Sequence, residues 1–138
     1  MSQYLTVVDA GKIIGGDVHL LIQKAETIGQ ALNQQKLTTS QIRNFFTEVR
    51  SIQNRWDLNE EAEYRQVVLL KPKLAYAAQR AREVGKKTDA VNTLAEVLTL
   101  CIDQIPQTAN DKKERFNRFV DFFEAILAYH KQAGGKEY

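Results

Sequence analysis

Between Leu37 and Trp56 the apolar residues return at helical spacing: Ile42, Phe45, Phe46, Val49, Ile52 and Trp56 share one broad face. The stretch carries its own start signals. Thr38 can cap the helix, and Gln41 three residues on can complete a capping box. Leu37 and Ile42 stand where a hydrophobic staple would close the first turn. A helix of this kind must lay its face against other elements. The rest of the chain supplies partners with the same period. Only two prolines and seven glycines interrupt the 138 residues, which argues against a loop-rich or disordered chain.

One helix should run from Asp17 to about Gln35, with Leu21, Ala25, Ile28 and Leu32 inward. Asn59 can cap a third, with Glu60 and Glu61 in the first turn, where the helix dipole favours anions. The run Val67–Leu70 is apolar all round, so period alone does not separate a buried helix from a strand; its flanks favour helix. Pro72 removes a backbone donor and restricts Lys71, so the helix is expected to end or kink there. A fourth helix is then expected from about Pro72 to Gly85, with Leu74, Ala78 and Ala81 inward. A fifth, capped by Thr88 or Asp89 and ended by Pro106, carries Val91, Leu94, Leu98, Cys101, Ile102 and Ile105. A sixth begins after Asn110, carries Phe116, Phe119, Val120, Phe123, Ile126 and Leu127, and stops at Gly134-Gly135. Residues 1–16, broken by Gly11, Gly15 and Gly16, read as a flexible or extended arm. The expected fold is all-α, with residues 17–138 forming a single-domain bundle of five to six helices.

Several function classes find no support in the residues. Gly11-Lys12 lacks the preceding glycine and following Ser or Thr of a phosphate loop. His19, His130 and the single Cys101 form no zinc-ligand spacing. His130 falls on the apolar face of the last helix, as a core or rim histidine would. Glu60, Glu61 and Glu63 read as helix-start chemistry rather than a general acid–base pair. Cys101 lies in a leucine-rich stripe, where burial raises the thiol pKa and makes it inert. The sequence thus offers no catalytic residue, no metal site and no cofactor site; binding is the default. A lone cysteine fits a reducing cytoplasm, and no apolar run is long enough to span a membrane.

Charge is unevenly spread. The formal net charge is +2, yet Lys71–Lys87 holds Lys71, Lys73, Arg80, Arg82, Lys86 and Lys87 against Glu83 alone. Such a block points to an anionic partner, or else to a solvated cationic face. At 100° per residue Arg43, Arg50 and Asn54 fall on one stripe, and Lys73, Tyr76 and Arg80 on another. A cation–aromatic–cation row can hold a phosphate backbone and a base together, whereas a tyrosine there could equally close the edge of the core.

Three stretches carry a resemblance to a known family. They are Leu37-Thr38-Thr39-Ser40-Gln41-Ile42-Arg43-Asn44-Phe45-Phe46; Leu69-Leu70-Lys71-Pro72-Lys73-Leu74-Ala75-Tyr76-Ala77-Ala78-Gln79-Arg80; and Phe119-Val120-Asp121-Phe122-Phe123-Glu124-Ala125-Ile126-Leu127-Ala128-Tyr129-His130-Lys131. Together they resemble the small subunit of type III-A CRISPR effector complexes, the Csm complexes, over about residues 35–135. The resemblance implies an all-helical, non-catalytic subunit present in several copies. Its partners would be the CRISPR RNA–target RNA duplex, other subunits of the complex and copies of itself. It would contact chiefly the target-strand backbone without reading sequence. On the matching positions it implies RNA contacts at Arg43, Lys71, Lys73, Tyr76 and Arg80; Arg50 joins them because it shares the stripe of Arg43. The first sixteen residues lie outside the resemblance.

Two other readings remain open at this level. Thr-Thr-Ser-Gln-Ile-Arg is similar to the opening of a DNA-binding helix-turn-helix, although the helix it starts is long and is followed by acidic residues. A helical adaptor binding only protein would also present a basic patch.

Overall fold

The computed structural model describes residues 3–83 and 89–134. Gly85, Lys86, Lys87, Thr88 and Gly135 lie outside them, as do the side chains of Ala81, Arg82, Glu83 and Asp89. Among these described residues six α-helices follow one another: α1 (Val7–Ile14), α2 (Val18–Gln34), α3 (Thr39–Arg55), α4 (Glu60–Glu83), α5 (Asp89–Ile102) and α6 (Lys112–Gln132). One 3-10 turn, Trp56–Leu58, links α3 to α4. The all-α bundle is as expected. The six helices are not the same six.

The expected arm contains a helix. Thr6 Oγ1 accepts from the Asp9 amide at 3.0 Å and the Thr6 amide donates to the Asp9 carboxylate at 3.2 Å, which closes a capping box. Ala10, Ile13 and Ile14 then enter the core, and the Ile14 carbonyl accepts from Arg118 on α6 at 3.0 Å. Three buried apolar residues and two satisfied ends hold this short helix, despite Gly11 within it. Gly16, at φ +116°, makes the turn into α2.

The second correction concerns Pro72. The expected break is absent, and α4 runs through the proline as one helix of 24 residues. Pro72 and Val68, the residue whose carbonyl loses its donor, both face solvent. Water can therefore satisfy that carbonyl.

The α3 start is as read from sequence: the Gln41 amide donates to Thr38 Oγ1 at 3.2 Å, the Thr38 amide to Gln41 Oε1 at 2.9 Å, and Leu37 and Ile42 are buried. Asn59 caps α4, its Oδ1 accepting from the Ala62 amide at 3.1 Å. The core centres on α6, whose Phe116, Phe119, Phe122, Phe123 and Ile126 are fully buried. Trp56 stacks on Phe116 with centroids 5.0 Å apart, and Phe46 meets Phe123 edge-on at 5.3 Å. Helix α2 makes the most extensive pairing with α6. Gly29 permits it: a Cβ there would stand 2.8 Å from the His130 amide nitrogen.

Candidate nucleic-acid interface

The six candidate residues all lie on α3 and α4, so the packing of those helices decides which can act together. Arg55 on α3 pairs with Glu63 on α4 at 3.3 Å, and Glu48 pairs with Lys73 further along. Residue numbers fall on one helix as they rise on the other, so α3 and α4 form an antiparallel hairpin. On the opposite flank of α3 the partner is α6. Asp57 accepts from Lys113 at 2.8 Å, Gln53 donates to Asn117 at 3.0 Å, and Phe46 meets Phe123. This seam too is antiparallel.

Between the two flanks, Ile42, Val49 and Ile52 enter the core. Glu48 and Arg55 line the α4 flank, whereas Arg50 lines the α6 flank. Arg50 donates to Gln53 at 2.9 Å, lies over the Phe46 ring at 6.0 Å and is within electrostatic reach of Asp121. Arg43, seven residues earlier on the Arg50 stripe, is also engaged by neighbours. Burial pushes the Asp121 carboxyl above its ordinary value, nearby Glu124 adds to this, and Arg50 opposes it. Arg50 thus adjoins the Asp121 carboxyl of α6.

Lys73, Tyr76 and Arg80 do share one exposed stripe on α4. Tyr76 is 64% exposed, so it does not close the core edge. Lys73 is held by Glu48, but both side chains of the pair remain substantially open to water, where such pairs contribute little. Lys71 points the other way and pairs with Asp103, just beyond α5. On that side Tyr64 also donates to the Ile105 carbonyl at 2.6 Å. The six residues therefore occupy three places: Arg43 and Arg50 beside α6, Lys73, Tyr76 and Arg80 on the outer stripe of α4, and Lys71 towards α5.

Sequence reasoning missed part of the outer stripe. Val68 and Leu69 are 40% and 39% exposed, while Val67 and Leu70, in the same run, are buried. Arg65 is exposed one turn before Leu69 and belongs to this surface, although it stands in an acidic segment. A shallow groove here is lined by Asn59, Glu61, Ala62, Arg65, Gln66 and Leu69. A signal existed: a helix apolar all round must expose one side unless something covers it.

Among the described residues no group of three or more His, Cys, Asp or Glu side chains could hold a metal ion. Burial drives the Cys101 thiol pKa far up. His130 is buried, and its Nε2–H donates to the Leu37 carbonyl at 2.5 Å, a structural contact between α6 and the start of α3. Among the described residues no helix is long and apolar enough to cross a membrane.

A family model described as Csm2 Type III-A matches residues 16–136. The chain belongs to the Csm2 family. Membership makes it a non-catalytic helical small subunit of a type III-A CRISPR complex, working with the other Csm subunits. No curated protein and no solved structure matches it. The helix-turn-helix reading falls on geometry as well: α3 leads through a 3-10 turn into a longer antiparallel partner rather than into a short crossing helix.

Proposed function

We propose that this Csm2 subunit binds the CRISPR RNA–target RNA duplex, chiefly the target-strand backbone, through Lys73, Tyr76 and Arg80 on the outer stripe of α4. Several copies pack along the complex and repeat the contact. The observation that carries the reading is Tyr76, an aromatic ring 64% exposed with a cation one turn away on either side. Cations on such a stripe meet successive phosphates, and the ring offers a stacking face that does not discriminate among bases. Affinity without sequence preference suits a subunit of an effector whose specificity comes from base pairing. Arg50 contributes less, because Asp121 lies beside it and repels phosphate, and Arg43 is already engaged in an interaction of its own. Lys71, paired with Asp103 on another flank, lies off the stripe and does not share its contact.

Filter binding of the purified chain to single-stranded RNA across a salt series tests this. Two neutralised phosphates give a slope of about −1.4 in log affinity against log salt, at about −0.7 each. Replacing Lys73 and Arg80 together by alanine should flatten the slope and weaken all sequences alike, with helicity unchanged. Replacing Arg43 and Arg50 should do so less. Equal or greater loss from the α3 pair would refute the assignment.

A further inference from the structure

The outer face of α4 has the features of a helix made to pair with a copy of itself. It exposes Val68, Leu69, Pro72, Ala75 and Tyr76 along its middle, with Glu61 exposed near its start and Arg80 near its end. Among the described residues neither Glu61 nor Arg80 makes an ion pair. Charge of opposite sign at the two ends and apolar surface between them complement the same helix running antiparallel.

A specific register follows from shape. Ala62, Arg65, Gln66 and Leu69 line the groove on this face. Their spacing of three, one and three is that of the four residues that make a hole for a knob from a facing helix. Alanine on one side keeps the hole open. The exposed knob on the same face is Tyr76. We infer that two copies of this chain associate through α4, antiparallel about a two-fold axis, with Tyr76 of each seated in the Ala62–Arg65–Gln66–Leu69 hole of the other.

Setting Tyr76 opposite Arg65 places Leu69 against Pro72 at the axis and brings Glu61 level with Arg80 of the second copy. Each contact occurs twice, as an isologous interface requires. The arginine rim of the hole also offers a cation to the face of the tyrosine. At about 1.5 Å per residue the helix is about 36 Å long, and a strip about 10 Å wide buries roughly 700 Å² over both copies. That is below the ~1,000 Å² of a stable interface, so the dimer is weak and reversible. An isologous pair closes on itself and cannot extend along a complex, so it is a form of the free subunit. Because it covers Tyr76 and Arg80, it excludes RNA; this last clause alone rests on the proposed function.

Sedimentation of the full chain over a wide concentration range, with and without a single-stranded RNA, tests the pairing. The chain should move from monomer to dimer as concentration rises, and Leu69→Asp should keep it monomeric with helicity intact. Glu61→Arg and Arg80→Glu should each weaken the dimer about tenfold, since each places like charges together twice. Combined in one chain they should recover the dimer while leaving RNA binding impaired. A monomer at every concentration, a dimer indifferent to Leu69→Asp, or no recovery in the double exchange would overturn the inference. Added RNA should dissociate the dimer; an RNA-bound dimer would place RNA elsewhere and leave the pairing standing.

Discussion

His130 should make the stability of this protein depend on pH in a window where few other side chains titrate. Its ring is buried at the junction of α6 with the α2–α3 connection, and Nε2–H donates to the Leu37 carbonyl at 2.5 Å. A carbonyl only accepts, so the proton resides on Nε2, and Nδ1 is buried without a hydrogen-bond partner. Protonating Nδ1 would create a buried cation with one donor unsatisfied. Burial accordingly lowers the pKa below the ordinary 6.5, the Leu37 hydrogen bond opposes this, and Lys131 reinforces it. Between the lowered folded value and the ordinary unfolded one, the unfolded chain binds the proton and the folded chain does not. The stability conferred by the neutral ring is therefore complete above the unfolded value and is lost as pH falls from there towards the folded one. The slope reaches at most about 1.4 kcal/mol per pH unit, the value for one proton. For a chain of this size, each such loss lowers Tm by about 3–5 °C. Chemical denaturation at half-unit steps from pH 7.5 to 5 measures it. His130→Gln, whose amide can still donate to Leu37, supplies the reference curve, because carboxylates contribute equally to both proteins. Parallel curves for the two proteins would refute the buried neutral ring.

Two further outcomes concern the helices. Gly29→Ala gains up to about 1 kcal/mol of helix propensity, but its Cβ would meet the backbone of α6 at 2.8–2.9 Å, an overpacking cost of about 1–3 kcal/mol; net destabilisation is expected in denaturant melts, and a stabilised variant would contradict the α2–α6 crossing. Pro72→Ala should stabilise by about 1–3 kcal/mol, since it restores an amide to an exposed, continuous helix; a loss of stability would indicate that α4 does break there.

Much of the fold was legible because it rests on strong local signals. The Thr38–Gln41 box and the 3.6-residue face behind it fix α3 before any packing is known. The aromatic stripe of α6 likewise identifies the core, and the core position of His130 followed from its place on that stripe. The two misreadings have one cause. Breakers were given fixed meanings, whereas Gly11 sits inside a helix capped by Thr6 and Asp9, and Pro72 sits in one whose affected carbonyl is open to water. The alternative signals were present: Ala10, Ile13 and Ile14 have helical spacing, and Thr-x-x-Asp is a capping box with the shorter acid. The count of six survived because a helix missed at the start offset one divided in the middle.

The candidate site was legible only to the level of single stripes. Period assigns Arg43 with Arg50 and Lys73 with Arg80, and both assignments agree with the structure. It does not say how α3 is rotated when it meets α4, and that rotation separates the pairs. Glu48 and Arg55 occupy the side of α3 that meets α4, so the side bearing Arg50 turns to α6 and finds Asp121. The same rotation leaves the far side of α4 uncovered. Its apolar middle is costly to hold in water by about 25 cal/mol for each Å² exposed, and a single buried proline there would have broken the helix. Both features are tolerable only on a face that water or a reversible partner reaches. Continuous α4, solvent-facing Pro72 and exposed Tyr76 are thus one arrangement: an unbroken helix kept accessible along its outer side, with its cations gathered at the end where the chain is most basic.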